Sequence, residues 1–443
     1  MLPEGAIPSM AQARQPVTVV RWLTSALTHQ GESMINPSVM TTGERIRYYR
    51  LKVGKSQAAL AGLVGRSEDW LSKVERNIIG IDSLSMLIRL SRELGLDNVA
   101  DLVGSSIDLS LVGGPEHPSV PAIRRALNTP PSHLGLGLPG DPYTALQLGE
   151  RVVETWAVYE NDTERYAPVG GMLPGLLAEA YATLRAARGE EELEATRALV
   201  SLLHLHQVFL RRVGERKLSL RAADRAMQIA DDTGDPALIA ASAWNVCGIL
   251  TSSGEVADSL DLARNTIEHC RPGDDATPEH LSAYGALHLA AVIAAVRDSK
   301  APTAWDLLTQ ANGVAERLGV DRNDFHTSFG PTNVAMHGVH LAAEEGDAAE
   351  ALRLADDVEV PAPGGVLPLE RTTRYLVEVM HAHRLTGDDF GTLYMLKQIM
   401  DASPEEIRYF PLVREAVQSL LKRPRPQIRR DLHRIAEHVG VLA

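Results

Sequence analysis

The sequence predicts an all-α protein in two parts, a small head of short helices followed by a long α-solenoid body. Three observations lead there. From Tyr143 to about Lys422 one helical pattern follows another, with Ala and Leu at 3.6-residue spacing and no convincing β alternation. Turns recur through that region at intervals of 40 to 46 residues, all but one of them at a glycine. Residues 56–76 carry two short helical patterns separated by a tight glycine turn.

Bulk composition narrows the class. A chain of 443 residues is too long for one core and suggests two or three domains. It lacks a run of about 18 apolar residues, so no membrane partner is expected. The stretch "VTVVRWLTSAL" (17–27) has Arg21 in its middle and no convincing cleavage site, which argues against a signal peptide. Cys247 and Cys270 make neither a Cys-based zinc finger nor a disulfide framework, and a reducing cytoplasm fits them best. A net charge of −13 argues against nucleic-acid binding over the whole surface. The distribution is uneven, however. Residues 41–80 hold eight basic and four acidic side chains, a net of +4 that leaves −17 for the rest. A basic head on an acidic body is expected when only the head meets phosphate.

Element by element, residues 1–40 mix Pro, Gly, Ser and Gln and read as a disordered extension. Met34 and Met40 leave open whether that piece belongs to the native protein. Residues 41–104 form the head. Residues 105–142, containing "VGGPEHPSV" and "NTPPSHLGLGLPGDPY", read as a linker interrupted by a short helix at "PAIRRAL" (121–127). The body spans 143–422, and 423–443 read as a capping helix. Its basic lead-in, "KRPRPQIRR" (422–430), reads as a solvated cap rather than a second DNA contact.

Within the body, turns at Gly214, Gly254, Gly346 and Gly387 each open a helix with Ala or Leu at its packing positions, and "SKAPTAW" from Ser299 fills the gap. This pattern resembles the second helix of a tetratricopeptide repeat, with a period longer than the ideal of about 34 residues. Helix pairs of that kind cannot bury their apolar faces alone, so they stack into a superhelix with a concave surface.

In the head, Ser56 is placed to cap one helix and Ser67 the next. Ala61 must be small where two helices cross, and Gly65 sits where the turn needs a left-handed backbone. At about 100° per residue, Trp70, Leu71 and Val74 fall on one side of the second helix. Glu68, Asp69, Ser72, Lys73 and Arg76 fall on the other, the geometry of a recognition helix in a major groove. Trp70 stands at the edge of the apolar side, where core packing competes with a thymine-methyl or sugar contact.

These features, with "RIRYYRLKVGKSQAALA", "VGRS", "LSKVERN" and "SLSMLIRLSRELGL", make 44–104 resemble the xenobiotic-response-element (Cro/CI-type) helix-turn-helix family, a five-helix DNA-binding domain. The resemblance implies roles. Glu68, Asp69, Ser72 and Lys73 would contact base edges. Gln57 would grip a phosphate, with Ser56, Lys55, Arg66 and Arg76 beside it. Arg50 and Glu75 would form a buried pair, and Asn77 stands where the family usually has glycine. Acids at the front of this helix have two readings. They favour the helix dipole by about 0.3–1 kcal/mol each, or they accept a hydrogen bond from cytosine N4 and so select C·G pairs.

The whole chain resembles tetratricopeptide-bearing regulators of GC-rich Gram-positive bacteria. That resemblance implies a homodimer on a double-stranded DNA operator, sensing a peptide or small-molecule effector. Asn245, Phe325, Phe329 and Asn333 are the candidates for the effector groove; the competing reading of "DFHTSFGPTNVAMHGV" (324–339) is an ordinary inter-repeat turn. The pairs His204/His206, His337/His340 and His381/His383 lack a completing acid–histidine motif, so no metal is expected. No GxSxG, HExxH, P-loop or Rossmann pattern appears, and neither enzyme nor cofactor is expected. The competing function is a protein-interaction adaptor tethered to DNA without effector sensing.

Overall fold

The computed structural model describes residues 40–81, 84–96, 100–103, 117–138, 141–360, 365–404, 407, 410–423 and 425–441. The expected N-terminal extension lies outside them apart from Met40, as do residues 105–116, the first part of the expected linker. Among the described residues the regular structure is helical, with no strand.

Five helices make the head: α1 (Thr42–Lys52), α2 (Gln57–Leu63), α3 (Glu68–Glu75), α4 (Leu84–Glu93) and α5 (Ala100–Val103). Each of the first three begins at a hydroxyl cap. Thr41 and Glu44 close a capping box, Ser56 Oγ accepts from the Ala59 amide at 3.0 Å, and Ser67 Oγ accepts from the Trp70 amide at 3.1 Å. Ile46, Leu60, Ala61, Leu71, Leu87, Leu90 and Leu102 are fully buried and make the core of the head. Gly43 is required where α1 crosses α3, because a Cβ there would run into the Val74 carbonyl.

Behind it, α6 (Val120–Asn128) is the helix expected inside the linker. Its Ile123 and Leu127 are buried, and it packs over α8 (Tyr166–Ala186) and α10 (Arg216–Thr233). The remaining helices are α7 (Ala145–Asn161), α9 (Glu190–Arg212), α11 (Pro236–Ser252), α12 (Val256–His269), α13 (Pro278–Arg297) and α14 (Ala301–Leu318). After a short 3-10 turn at Asp324–His326 come α15 (Pro331–Glu345), α16 (Ala348–Asp356), α17 (Leu369–Thr386), α18 (Asp389–Ala402), α19 (Pro411–Lys422) and α20 (Arg429–His438). From α7 on, each odd-numbered helix packs on its even-numbered successor and on the next odd-numbered helix. The result is a stacked row of helix pairs, the solenoid architecture. The odd row curls until α17 touches α7.

The repeating turns follow from one backbone requirement. Between α9 and α10, α11 and α12, α15 and α16, and α17 and α18, a left-handed residue ends the first helix: Gly214, Gly254, Gly346 and Gly387, with φ from 77° to 84°. Between α13 and α14 the same position is Ser299, at φ 60°. Small side chains set the close spacing of the pairs, as Ala222, Ala226 and Ala230 on α10 and Ala304, Ala311 and Ala315 on α14 lie fully or almost fully buried. Helix α13 is long and apolar enough to cross a membrane by composition, but its side chains are mostly enclosed by neighbouring helices.

Candidate nucleic-acid interface

Helix α3 presents two unlike sides. Trp70, Leu71 and Val74 are buried in the core of the head. Behind them Arg50 of α1 donates twice to Glu75, Nε to Oε1 at 2.5 Å and Nη2 to Oε2 at 2.7 Å. Glu75 is almost fully enclosed, and the hydrogen bond to it is the first cause of a raised Arg50 pKa. The outer side carries Glu68, Asp69 and Arg76 exposed, with Ser72 and Lys73 half-buried. Lys73 Nζ lies 3.1 Å from Asp69 Oδ2, one turn away, and Arg76 Nε donates to the Ser72 carbonyl at 3.2 Å. The front of this face is therefore acidic at Glu68, self-neutralised at Asp69–Lys73 and cationic at Arg76. The turns before and after it are left-handed at Gly65 (φ 70°) and Asn77 (φ 58°).

The side chains expected at phosphates hold contacts within the protein. Gln57 Nε2 donates to Glu75 Oε2 at 2.8 Å. Lys55 donates to the Glu93 carbonyl and lies 3.6 Å from its carboxylate. The Ser56 hydroxyl is the cap of α2. Arg66 departs furthest from expectation: it lies over the Trp70 ring, 5.3 Å from the centroid, and donates to the Arg297 carbonyl at the end of α13.

Arg66 is part of a larger contact between head and body. The head lies along the row of left-handed turns. Ser67 Oγ and Ser299 Oγ are 2.7 Å apart, Arg89 reaches past Gly254, and Ile78 closes on Gly346. Gly80 sits against Leu412, where a Cβ would not fit. A cavity of about 50 Å³ remains under Ile79 and Gly80, floored by His340, Glu344, Arg374 and Glu378. His340 Nδ1 is 3.0 Å from Glu378 Oε1 and its Nε2 3.6 Å from Glu344. Burial works against the imidazolium, but the Glu378 carboxylate outweighs it and the His340 pKa is raised. Burial likewise opposes ionisation of Glu378, and His340 overcomes it, so that carboxyl is held low. The nearest sequence signal of the contact is Ser299, standing where the other four turns have glycine.

The residues expected to project into an effector groove are mostly turned inward. Phe329 is fully buried, with its ring filling the space left by the missing side chain of Gly285. Asn333 is buried, donating to the Ser328 carbonyl and accepting from Arg371 Nε, both at 2.6 Å. Asn245 is buried too, its Nδ2 donating to the Ala241 carbonyl at 3.0 Å. Phe325 alone is half-buried, at φ 50°. It belongs to a left-handed run with His326 and Ser328, and His326 stacks on Trp156 at 3.7 Å while bonding Glu160. Among the described residues no group of His, Cys, Asp and Glu could hold a metal ion. His204, His206 and His337 are each bonded to a neighbouring oxygen: Ser242 Oγ and the carbonyls of Leu202 and Asn333.

Two short helices joined by a left-handed glycine turn, with one face of the second left open, define a helix-turn-helix domain. Residues 42–102 match the family described as "Helix-turn-helix domain". No curated protein matches the chain. Among solved structures it is similar to BtubC (BKLC) from P. vanneervenii, at 10% identity over 55% of this chain and 91% of that one, with a TM-score of 0.36. It is also similar to PlcR of Bacillus thuringiensis, solved in complex with the peptide PapR7 and DNA. There the identity is 13% over 63% of this chain and 95% of that one, with a TM-score of 0.27.

Proposed function

We propose that the chain is a sequence-specific, DNA-binding transcription regulator whose solenoid body dimerises and senses a peptide or small-molecule effector in the cytoplasm. The observation that carries this reading is the outer side of α3, where Glu68, Asp69, Ser72, Lys73 and Arg76 remain accessible on a helix whose other side is locked by Trp70, Leu71, Val74 and the Arg50–Glu75 pair. Glu68 and the Asp69–Lys73 pair supply an acceptor for cytosine N4 and donors for guanine, whereas Arg76 supplies general attraction. One such head covers too little DNA for tight binding, and two-fold pairing supplies the second.

The contact between head and body supports the sensing half. In the docked arrangement Arg66 donates to the Arg297 carbonyl, so a phosphate contact by Arg66 would draw on a side chain that helps hold the head to the body. An effector shifts the balance between two arrangements only by its differential affinity for them. Selection from a random duplex library with the full chain tests the DNA half. The expected product is a motif present as two half-sites at fixed spacing. Failure to enrich any sequence over the starting library would contradict the reading.

A further inference from the structure

The loop between α14 and α15 folds back on the first helix of the body. It is closed at its base, where the Arg322 amide donates to the Phe329 carbonyl at 2.8 Å. Inside it, Asn323 Oδ1 accepts from the amide and hydroxyl of Ser328 at 3.1 and 3.2 Å, and Arg322 donates twice to Asp324 at 2.6 and 2.9 Å. Closed loops of this size, packed by their own side chains, frequently carry function. The tip, Asp324–His326, packs on α13 and reaches across to α7. Backbone strain is concentrated there. Among the described residues five other than glycine have left-handed φ, and three of them are Phe325, His326 and Ser328, at 50°, 59° and 55°. Such a run persists only where its surroundings hold it.

On the α7 side two residues do the holding. The His326 ring lies flat on the Trp156 indole, with centroids 3.7 Å apart and planes 7° apart. Its Nδ1 is 2.8 Å from Glu160 Oε1, which also accepts from Asn323 Nδ2 at 3.0 Å. Trp156 is itself fixed, 4% exposed, with Nε1 donating to the carbonyl and hydroxyl of Ser201 on α9. Trp156 and Glu160, one turn apart, thus make a rigid aromatic shelf with a carboxylate beside it. The His326 side chain resting there keeps 18% of its surface exposed, while the base of the loop is anchored separately by the buried Phe329.

We propose that Trp156 and Glu160 form a binding site for a planar cation, the guanidinium of an arginine-like ligand, and that His326 is its built-in occupant, displaced when the ligand binds. The indole is the aromatic face that attracts cations best. A guanidinium offers a flat face and N–H donors as the imidazole does, and it is charged at every physiological pH. It therefore matches the shelf and the carboxylate together. A ligand that takes Glu160 removes the hydrogen bonds of His326 and Asn323 to α7 and lets the left-handed tip relax. The loop runs directly into α15, whose far end supplies His340 and Glu344 to the floor under Gly80 and whose closing Gly346 meets Ile78 of the head. One helix thus joins the site to the head contact. The proposal names the ligand chemistry of the effector in the reading above, and rests on that reading for its regulatory meaning.

Thermal melting of the full chain with N-acetylarginine amide, methylguanidine and the uncharged N-acetylcitrulline amide tests it, in the parent, His326→Ala and the double variant His326→Ala, Glu160→Gln. With the ring gone, His326→Ala gains roughly 2–4 °C in a saturable way with a guanidinium compound. The citrulline amide, lacking the charge, needs roughly tenfold more ligand or gives no gain. A gain with the arginine amide alone marks an arginine within a peptide, and a gain with methylguanidine as well marks any guanidinium compound. The parent needs roughly tenfold more ligand than His326→Ala, because its own ring must leave first. The double variant gains nothing. No saturable gain in His326→Ala, an equal response to the citrulline amide, the same half-saturation in the parent, or a gain that survives Glu160→Gln would each overturn the proposal. His326→Gly removes the same ring and suits the left-handed backbone, so it replaces an alanine chain that does not fold; failure of both to fold would also overturn it. Duplex selection is read separately: an enriched motif without any guanidinium response sinks the site and spares the DNA reading, and the converse result does the opposite. A guanidinium response that leaves affinity for the selected duplex unchanged upholds the site and removes its effector role.

Discussion

Helices α3 and α15 carry similar polar content and put it to opposite use. In α3 the polar residues other than Glu75 fall on one side, exposed or half-buried, while Trp70, Leu71, Val74 and Glu75 fill the other. In α15, Asn333, His337 and His340 are all buried, beside Val334, Met336 and Val339. An edge helix needs only one buried stripe, so periodicity separates what packs from what is free to bind. A helix surrounded on every side has no such stripe, and its polar residues bond to whatever encloses them.

If the two helices differ in this way, substitutions should divide by side and not by residue chemistry. The largest effects belong to the enclosed positions. Glu75→Ala leaves the Arg50 guanidinium buried and unpaired and should cost about 3–5 kcal/mol. Phe329→Ala empties the space over Gly285 and should cost a similar ~3–5 kcal/mol. Asp69→Asn, on the open side, should stay within about 0.5 kcal/mol. Urea unfolding monitored by circular dichroism ranks the three, and an Asp69 variant as damaging as the other two would erase the distinction.

Acid should then expose the buried histidines of the body. Burial pulls His204 and His337 down to about 3 and His206 to about 4. In the unfolded chain these groups take up protons near pH 6.5, so the unfolded state gains protons first. Stability is fully present above about pH 6.5 and falls progressively as pH drops toward 3. His340 runs the other way: its raised pKa gives stability that is present below the unfolded value and lost as pH rises through the folded one. Melting temperature against pH should therefore fall on acidification, and His337→Asn should flatten the fall. A melting temperature independent of pH between 6.5 and 4 would contradict the burial.

The smallest effect concerns Ser299. Its left-handed backbone is unfavourable for a residue with a Cβ, so Ser299→Gly should raise stability by about 1 kcal/mol. The same change removes the hydroxyl facing Ser67, and the head should become easier to cleave from the body by protease. Unchanged cleavage would mean that the Ser67–Ser299 contact does not hold the head.

Local rules account for what could be read from the sequence. The caps at Ser56 and Ser67, the left-handed turns at Gly65 and Asn77, and the row of turns from Gly214 to Gly387 depend on residues within a few positions of one another. The all-α fold and the solenoid follow from them. Long-range geometry decided the rest. Arg66 reads as a phosphate ligand until α13, 231 residues later, offers a carbonyl. Phe329 reads as a candidate for the effector groove until Gly285 of another pair leaves room for its ring.

Whether the outer side of α3 reads base pairs is decided by the ratio of affinities of parent and Lys73→Ala for the selected duplex and a scrambled duplex of the same length, by fluorescence anisotropy at fixed salt. A base-reading lysine predicts that the ratio shrinks by roughly 5- to 150-fold, equivalent to about 1–3 kcal/mol. A ratio that is the same in both proteins would contradict it.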